Sequence, residues 1–270
     1  MAATAFRKKY AHDILNQFKS GSSPAFPNIT PDDVRNGLAE RIDNPDHQNQ
    51  SAASLCGPAA FFYMMLNWMP DAYVQYVIDL YTTGKASIGS LDVSPSGNCR
   101  SYRPPRDKIA PVDWIALASL RDSENTVLDY SSVNDTASGI TRPPTIADWM
   151  NRSGCFTAVE FDSHYIRSRD PKDVKDFSTD LAINRFVCLF VNAQILSDAT
   201  VRSNSHLADH WIVATQVNRL EMPDNKSAGK IQISAYSWGK INLIPTTGTL
   251  TLSQFCNNFY GSVSGAGIST

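Results

Sequence analysis

Apolar and polar positions change period along this chain, and the change divides it. Residues 59–69 (Ala-Ala-Phe-Phe-Tyr-Met-Met-Leu-Asn-Trp-Met) are apolar on nearly every side, which predicts a buried helix ending at Pro70. A second helix is expected over about 71–83, stopping before Gly84. Residues 1–20 pattern as a short amphipathic helix, followed by a Ser/Pro/Gly linker near 21–27. Thr30-Pro31-Asp32-Asp33 then opens another helix, with an N-cap threonine and proline at the first position. Residues 111–120 read as strongly helical, and Thr145-Ile-Ala-Asp148 begins a helix with a capping box that ends at Gly154. The proline- and turn-rich segment 87–108 reads as a long loop suited to lining a substrate cleft.

From residue 156 the period shortens. Residues 156–161 alternate as a strand, 170–184 form a helix, and 186–192 form a buried strand. Asp209-His210-Trp211 leads into a β-branched run to Val217, and residues 230–240 form a second strand ending in Trp238-Gly239. The turn-rich stretch 223–229 between them predicts a hairpin, which brings His210 beside the Tyr236–Trp238 segment. A strand over 241–245 and a last helix over 252–260 follow, and the Ser/Gly-rich tail is expected to fray. Helices first and antiparallel strands last predict an α+β fold.

Cys56 stands where a small-residue loop meets the buried helix, followed by Gly57 and Pro58. A thiol at a helix N-terminus feels unpaired N–H groups and the positive end of the dipole, which favours the nucleophilic thiolate. Packing is the ordinary fate of a lone cysteine, so this position needs partners before it means chemistry.

Those partners come from three further segments. Gln50 lies six residues before Cys56-Gly57, Asp209-His210 opens a strand, and Tyr236-Ser237-Trp238-Gly239 closes the next one. In this order the motifs resemble those of the papain-like cysteine peptidases, over about a fifth of the chain; residues 71–200 have no counterpart. The resemblance implies one papain-like domain over 1–270. Residues 1–30 would be an N-terminal extension, about 31–155 a mainly helical lobe carrying the nucleophile helix, and about 156–270 an antiparallel sheet lobe.

The resemblance also assigns roles. Cys56 would attack a carbonyl, His210 would carry the proton, and the Gln50 amide with the Cys56 N–H would bind the oxyanion. Trp238 would shield the pair from water. The family places an asparagine where this chain has Tyr236, so either the Tyr236 phenol orients His210 with altered geometry, another acceptor does, or orientation is relaxed. Strand alternation is read here as turning Ser237 and Asp209 away from the imidazole.

Composition narrows the field. A net charge of -2 with 19% charged residues and no basic stripe argues against nucleic acid as a partner. No apolar run reaches the length of a membrane span, and the start lacks the apolar core of a secretory signal, so synthesis in the cytoplasm is expected. Five cysteines at wide spacing (56, 99, 155, 188 and 256) read as reduced thiols rather than a disulfide frame or zinc site, and no cofactor is called for. His164 and His206 read as surface histidines, and Arg100 to Arg106 as a small basic loop, solvated by default.

The expected activity is cysteine proteolysis of a protein or peptide substrate. Glutamine deamidation or transamidation, and peptidoglycan amide cleavage, would use the same Cys–His pair; a non-enzymatic binding module is the reading of another class. Resemblance to injected bacterial papain-like effectors implies export by a specialised secretion system, with an immunity or inhibitor protein or a secretion chaperone as partner.

Overall fold

Local signals place several helix starts where the sequence puts them, while the helix expected to open at Thr145 begins earlier, at Pro143. The computed structural model describes residues 2–19, 21–50, 54–124, 132, 141–163, 169–196, 208–225, 228–246 and 248–268. Helix α1 (Ala5–Gln17) starts at Thr4, whose side chain accepts from the Arg7 amide, and α2 (Pro31–Asp43) starts in a full capping box between Thr30 and Asp33. Helix α3 (Cys56–Leu66) and α4 (Pro70–Thr83) follow, α4 ending at left-handed Gly84 (φ 78°).

The chain divides into two compact units, residues 2–141 with 152–155, and residues 142–151 with 156–270. In the first, every residue of α3 is buried, and Phe62 packs on Tyr73 and Tyr76 of α4 at ring distances of 5.5 and 4.9 Å. Helix α1 packs on α4 and α2 and is tied by Arg7 to Asp71 at 2.8 Å. Residues 87–108, expected as a loop, contain structure. Strands β1 (Ala86–Ile88) and β2 (Leu91–Val93) pair as a hairpin, and α5 (Gly97–Ser101) follows. The turn depends on Gly89 (φ 58°), where a Cβ would stand 2.6 Å from the Arg152 and Ser153 carbonyls. The helical run begins as α6 (Pro111–Asp113), widens into a π turn at Trp114–Ala118 and ends as α7 (Ser119–Glu124).

Helix α8 (Pro143–Ser153) bridges the sequence into the second unit, whose sheet is antiparallel throughout. Its elements are β3 (Phe156–Ser163), α9 (Pro171–Ala182), β4 (Phe186–Val191), β5 (His210–Glu221), β6 (Lys230–Ser237), β7 (Lys240–Ile244), β8 (Leu250–Thr251), α10 (Leu252–Asn257) and β9 (Phe259–Gly267). The strand order is β3-β9-β4-β5-β6-β7, with β8 also pairing β6. The class is α+β, as expected.

The tail is the main departure. Residues 259–267 do not fray; they form β9, an interior strand between β3 and β4. Small residues suit that interior position, where a Cβ at Gly265 would lie 2.6 Å from the flexible end of the Met150 side chain. The last helix therefore ends at Asn257, earlier than the pattern suggests. One sheet face carries Val187, Leu189, Val191, Ile212 and Ala214 and is covered by Phe177 of α9 and Phe255 of α10.

Candidate functional site

Cys56 and Gln50 belong to the first unit, and His210, Tyr236 and Trp238 to the second. Cys56 is the first residue of α3, after the N-cap Leu55 (φ -114°, ψ 20°), whose apolar side chain makes no capping hydrogen bond. The thiol residue is buried, 8% exposed. Gly57 follows for a tertiary reason: a Cβ there would stand 2.3 Å from Thr141 Oγ1 and 2.4 Å from Thr141 Cβ. Thr141 is in turn held by Arg121, whose Nη1 donates to its hydroxyl at 3.0 Å. Gln50 is buried rather than solvated. The backbone just before it is anchored, with Gln48 Nε2 donating to the Ala59 carbonyl at 3.3 Å and the Asn49 amide donating to Asp113 at 3.0 Å. Asp113 itself forms a buried two-point pair with Arg41, at 3.0 and 2.7 Å. Residues 51–53 lie outside the described residues.

His210 opens β5, as the sequence predicts, and is almost fully buried. Its Nε2 lies 2.6 Å from Ser237 Oγ, and its ring stacks on Trp238 at 4.5 Å and 25°. The residue that meets the imidazole is therefore Ser237, which alternation was expected to turn away, and not Tyr236. Register gives the reason. Val213 pairs with Tyr236, so those two share a face of the sheet; His210, three residues back, points to the other face, and so does Ser237. Parity counted from the paired positions, rather than from the motif, would have found Ser237. Asp209 does turn away, accepting from the Ala193 amide at 2.7 Å.

Trp238 reaches the imidazole by leaving strand geometry. It and Gly239 both have positive φ (50° and 74°) in the two-residue turn closed by Ser237 and Lys240. Burial lowers the His210 pKa from 6.5 to about 4, so the ring is neutral at neutral pH. With Nε2 committed to Ser237, Nδ1 is the nitrogen left for proton exchange.

The remaining titratable candidates separate from this set. Burial pushes the Cys155 thiol up to about 11 and the Cys188 thiol higher still, which suits packing residues. All five cysteines are buried and none forms a disulfide. Arg106 of the basic loop pairs with Asp33 at 2.6 and 2.7 Å. His164 and His206 lie outside the described residues. Among the described residues, no cluster of three or more His, Cys, Asp or Glu side chains could hold a metal ion, and no helix is long and apolar enough to cross a membrane. No protein-family model matches the chain, and no curated protein matches it in sequence.

Proposed function

We propose that this protein is a papain-like cysteine hydrolase that cleaves a peptide bond of a protein or peptide substrate. The observation that supports the reading most is the His210–Ser237 hydrogen bond with Trp238 stacked on the ring. A histidine at a strand start, met by the Ser-Trp-Gly end of its neighbour, is the local arrangement the motif order calls for. In this reading neutral His210 takes the Cys56 proton at Nδ1, and the thiolate adds to the carbonyl carbon. The Cys56 N–H and the Gln50 amide donate to the oxyanion. His210 returns the proton to the leaving amine, and water then hydrolyses the thioester.

Cys56→Ala and His210→Ala should each abolish turnover of a cleaved target while the far-ultraviolet spectrum stays native; a variant with near-normal turnover removes the assignment. Mass spectrometry of the target separates the branches of the chemistry. New termini mean proteolysis, whereas an intact chain heavier by about one dalton means glutamine deamidation through the same thioester. A binding module is favoured by one feature: Tyr236 stands where the family has asparagine, and the imidazole meets the Ser237 hydroxyl instead of an amide. Its signature would be a Cys56 thiol that alkylates no faster than the other four. The resemblance to injected effectors adds delivery into a target cell and an immunity protein as partner, which co-purification from the producing cell would test.

A further inference from the structure

The turn carrying Ser237 and Trp238 is built against local preference. Its two central residues are left-handed, the type I′ arrangement, in which Asn, Asp or Gly is favoured at the first position. Tryptophan there is sterically disfavoured, and such strain persists only where surrounding contacts hold it. One such contact is the stack on His210. The other comes from Asn242, whose Nδ2 donates to the Ser237 carbonyl at 2.9 Å and to the Lys240 carbonyl at 3.2 Å. Both amide hydrogens are thus spent on the two residues that close the turn. Asn242 pairs with Ala235, two residues before Ser237, so its side chain stands on the sheet face that carries His210.

We propose that Asn242 is the positioning residue of the His210 site, pinning the hairpin tip so that the Ser237 hydroxyl meets Nε2 and the Trp238 indole covers the ring. Asn242 acts through Ser237 and Trp238 and makes no hydrogen bond to the imidazole. The chemical consequence concerns the tautomer. A serine oxygen accepts from Nε2–H both when the ring is neutral and when it is protonated, so a fixed Oγ keeps this bond through a proton cycle at Nδ1. A loose tip would let water reach the ring. The effect on turnover rests on the hydrolase reading; the effect on the imidazole does not.

The test is a proton NMR titration of His210 in the full chain, with thermal unfolding alongside. Asn242→Ala should raise the His210 pKa by one unit or more from about 4, and Asn242→Ser, which keeps one donor, should restore part of the shift. On a cleaved substrate, kcat should fall with KM unchanged. An Asn242→Ala protein that melts earlier but titrates as wild type overturns the proposal and makes Asn242 a plain turn residue. Trp238→Asn supplies a second route, because Asn-Gly is the preferred type I′ pair. It should keep or raise thermal stability while raising the His210 pKa; lower stability with an unchanged titration would also overturn the proposal. Full turnover in Cys56→Ala would remove the hydrolase reading alone, since the titration judges Asn242 independently.

Discussion

Lowering the pH should destabilise this protein through His210, and the size of the effect follows from its burial. The folded imidazole titrates at about 4 against 6.5 when exposed, with loss of solvent as the cause. As pH falls through 6.5 the unfolded chain binds a proton that the native state refuses until about pH 4. Stability is therefore full above 6.5 and is lost between 6.5 and 4, with no further loss from this residue below that. The gap of 6.5 minus 4 corresponds to about 3 kcal/mol, most of which is gone by pH 4.5. That is a large fraction of the roughly 5–15 kcal/mol that holds a domain together. The assay is urea unfolding at pH 7.5 and 4.5 for the wild type and His210→Gln. Groups common to both proteins cancel in the comparison, so the variant should lose about 2–3 kcal/mol less on acidification. Equal losses, or an NMR titration of His210 near 6.5, would refute the argument.

Two glycines make a paired test of close packing. Gly57→Ala places a methyl against the branched carbon of buried Thr141, and the overpacking cost of about 1–3 kcal/mol outweighs a helix-propensity gain of about 0.5–1 kcal/mol, so a net loss of about 1–2 kcal/mol is expected in urea unfolding. Gly265→Ala meets the flexible end of Met150 at a similar 2.6 Å, and the thioether can swing away, so its midpoint should move little. Equal costs at the two sites would show that neighbour flexibility does not decide the outcome. Ser237→Ala should lower stability by about 1–3 kcal/mol by stranding a buried nitrogen, and turnover should fall with it. Tyr236→Phe should keep turnover, because Tyr236 shares its sheet face with Val213 and not with His210; a dead but folded Tyr236→Phe would return the phenol to the site.

Local chemistry determined much of this molecule from sequence alone. Capping at Thr30, the stop at Gly84, the all-round apolar run after Cys56 and the hairpin between residues 210 and 237 depend on neighbours in the chain, and each forms where its residues place it. So does the meeting of His210 with the Ser-Trp-Gly segment. Tertiary structure decided the rest. Residues 259–267 are rich in glycine and serine and carry no strong strand signal, and only pairing with β3 and β4 makes them an interior strand. Gly57 looks like a helix-start residue in sequence, yet Thr141, 84 positions away, is what excludes a side chain there. The partner of His210 turned on register: a shift of one residue exchanges the faces of a strand, and register is fixed by pairing across the sheet rather than by the motif.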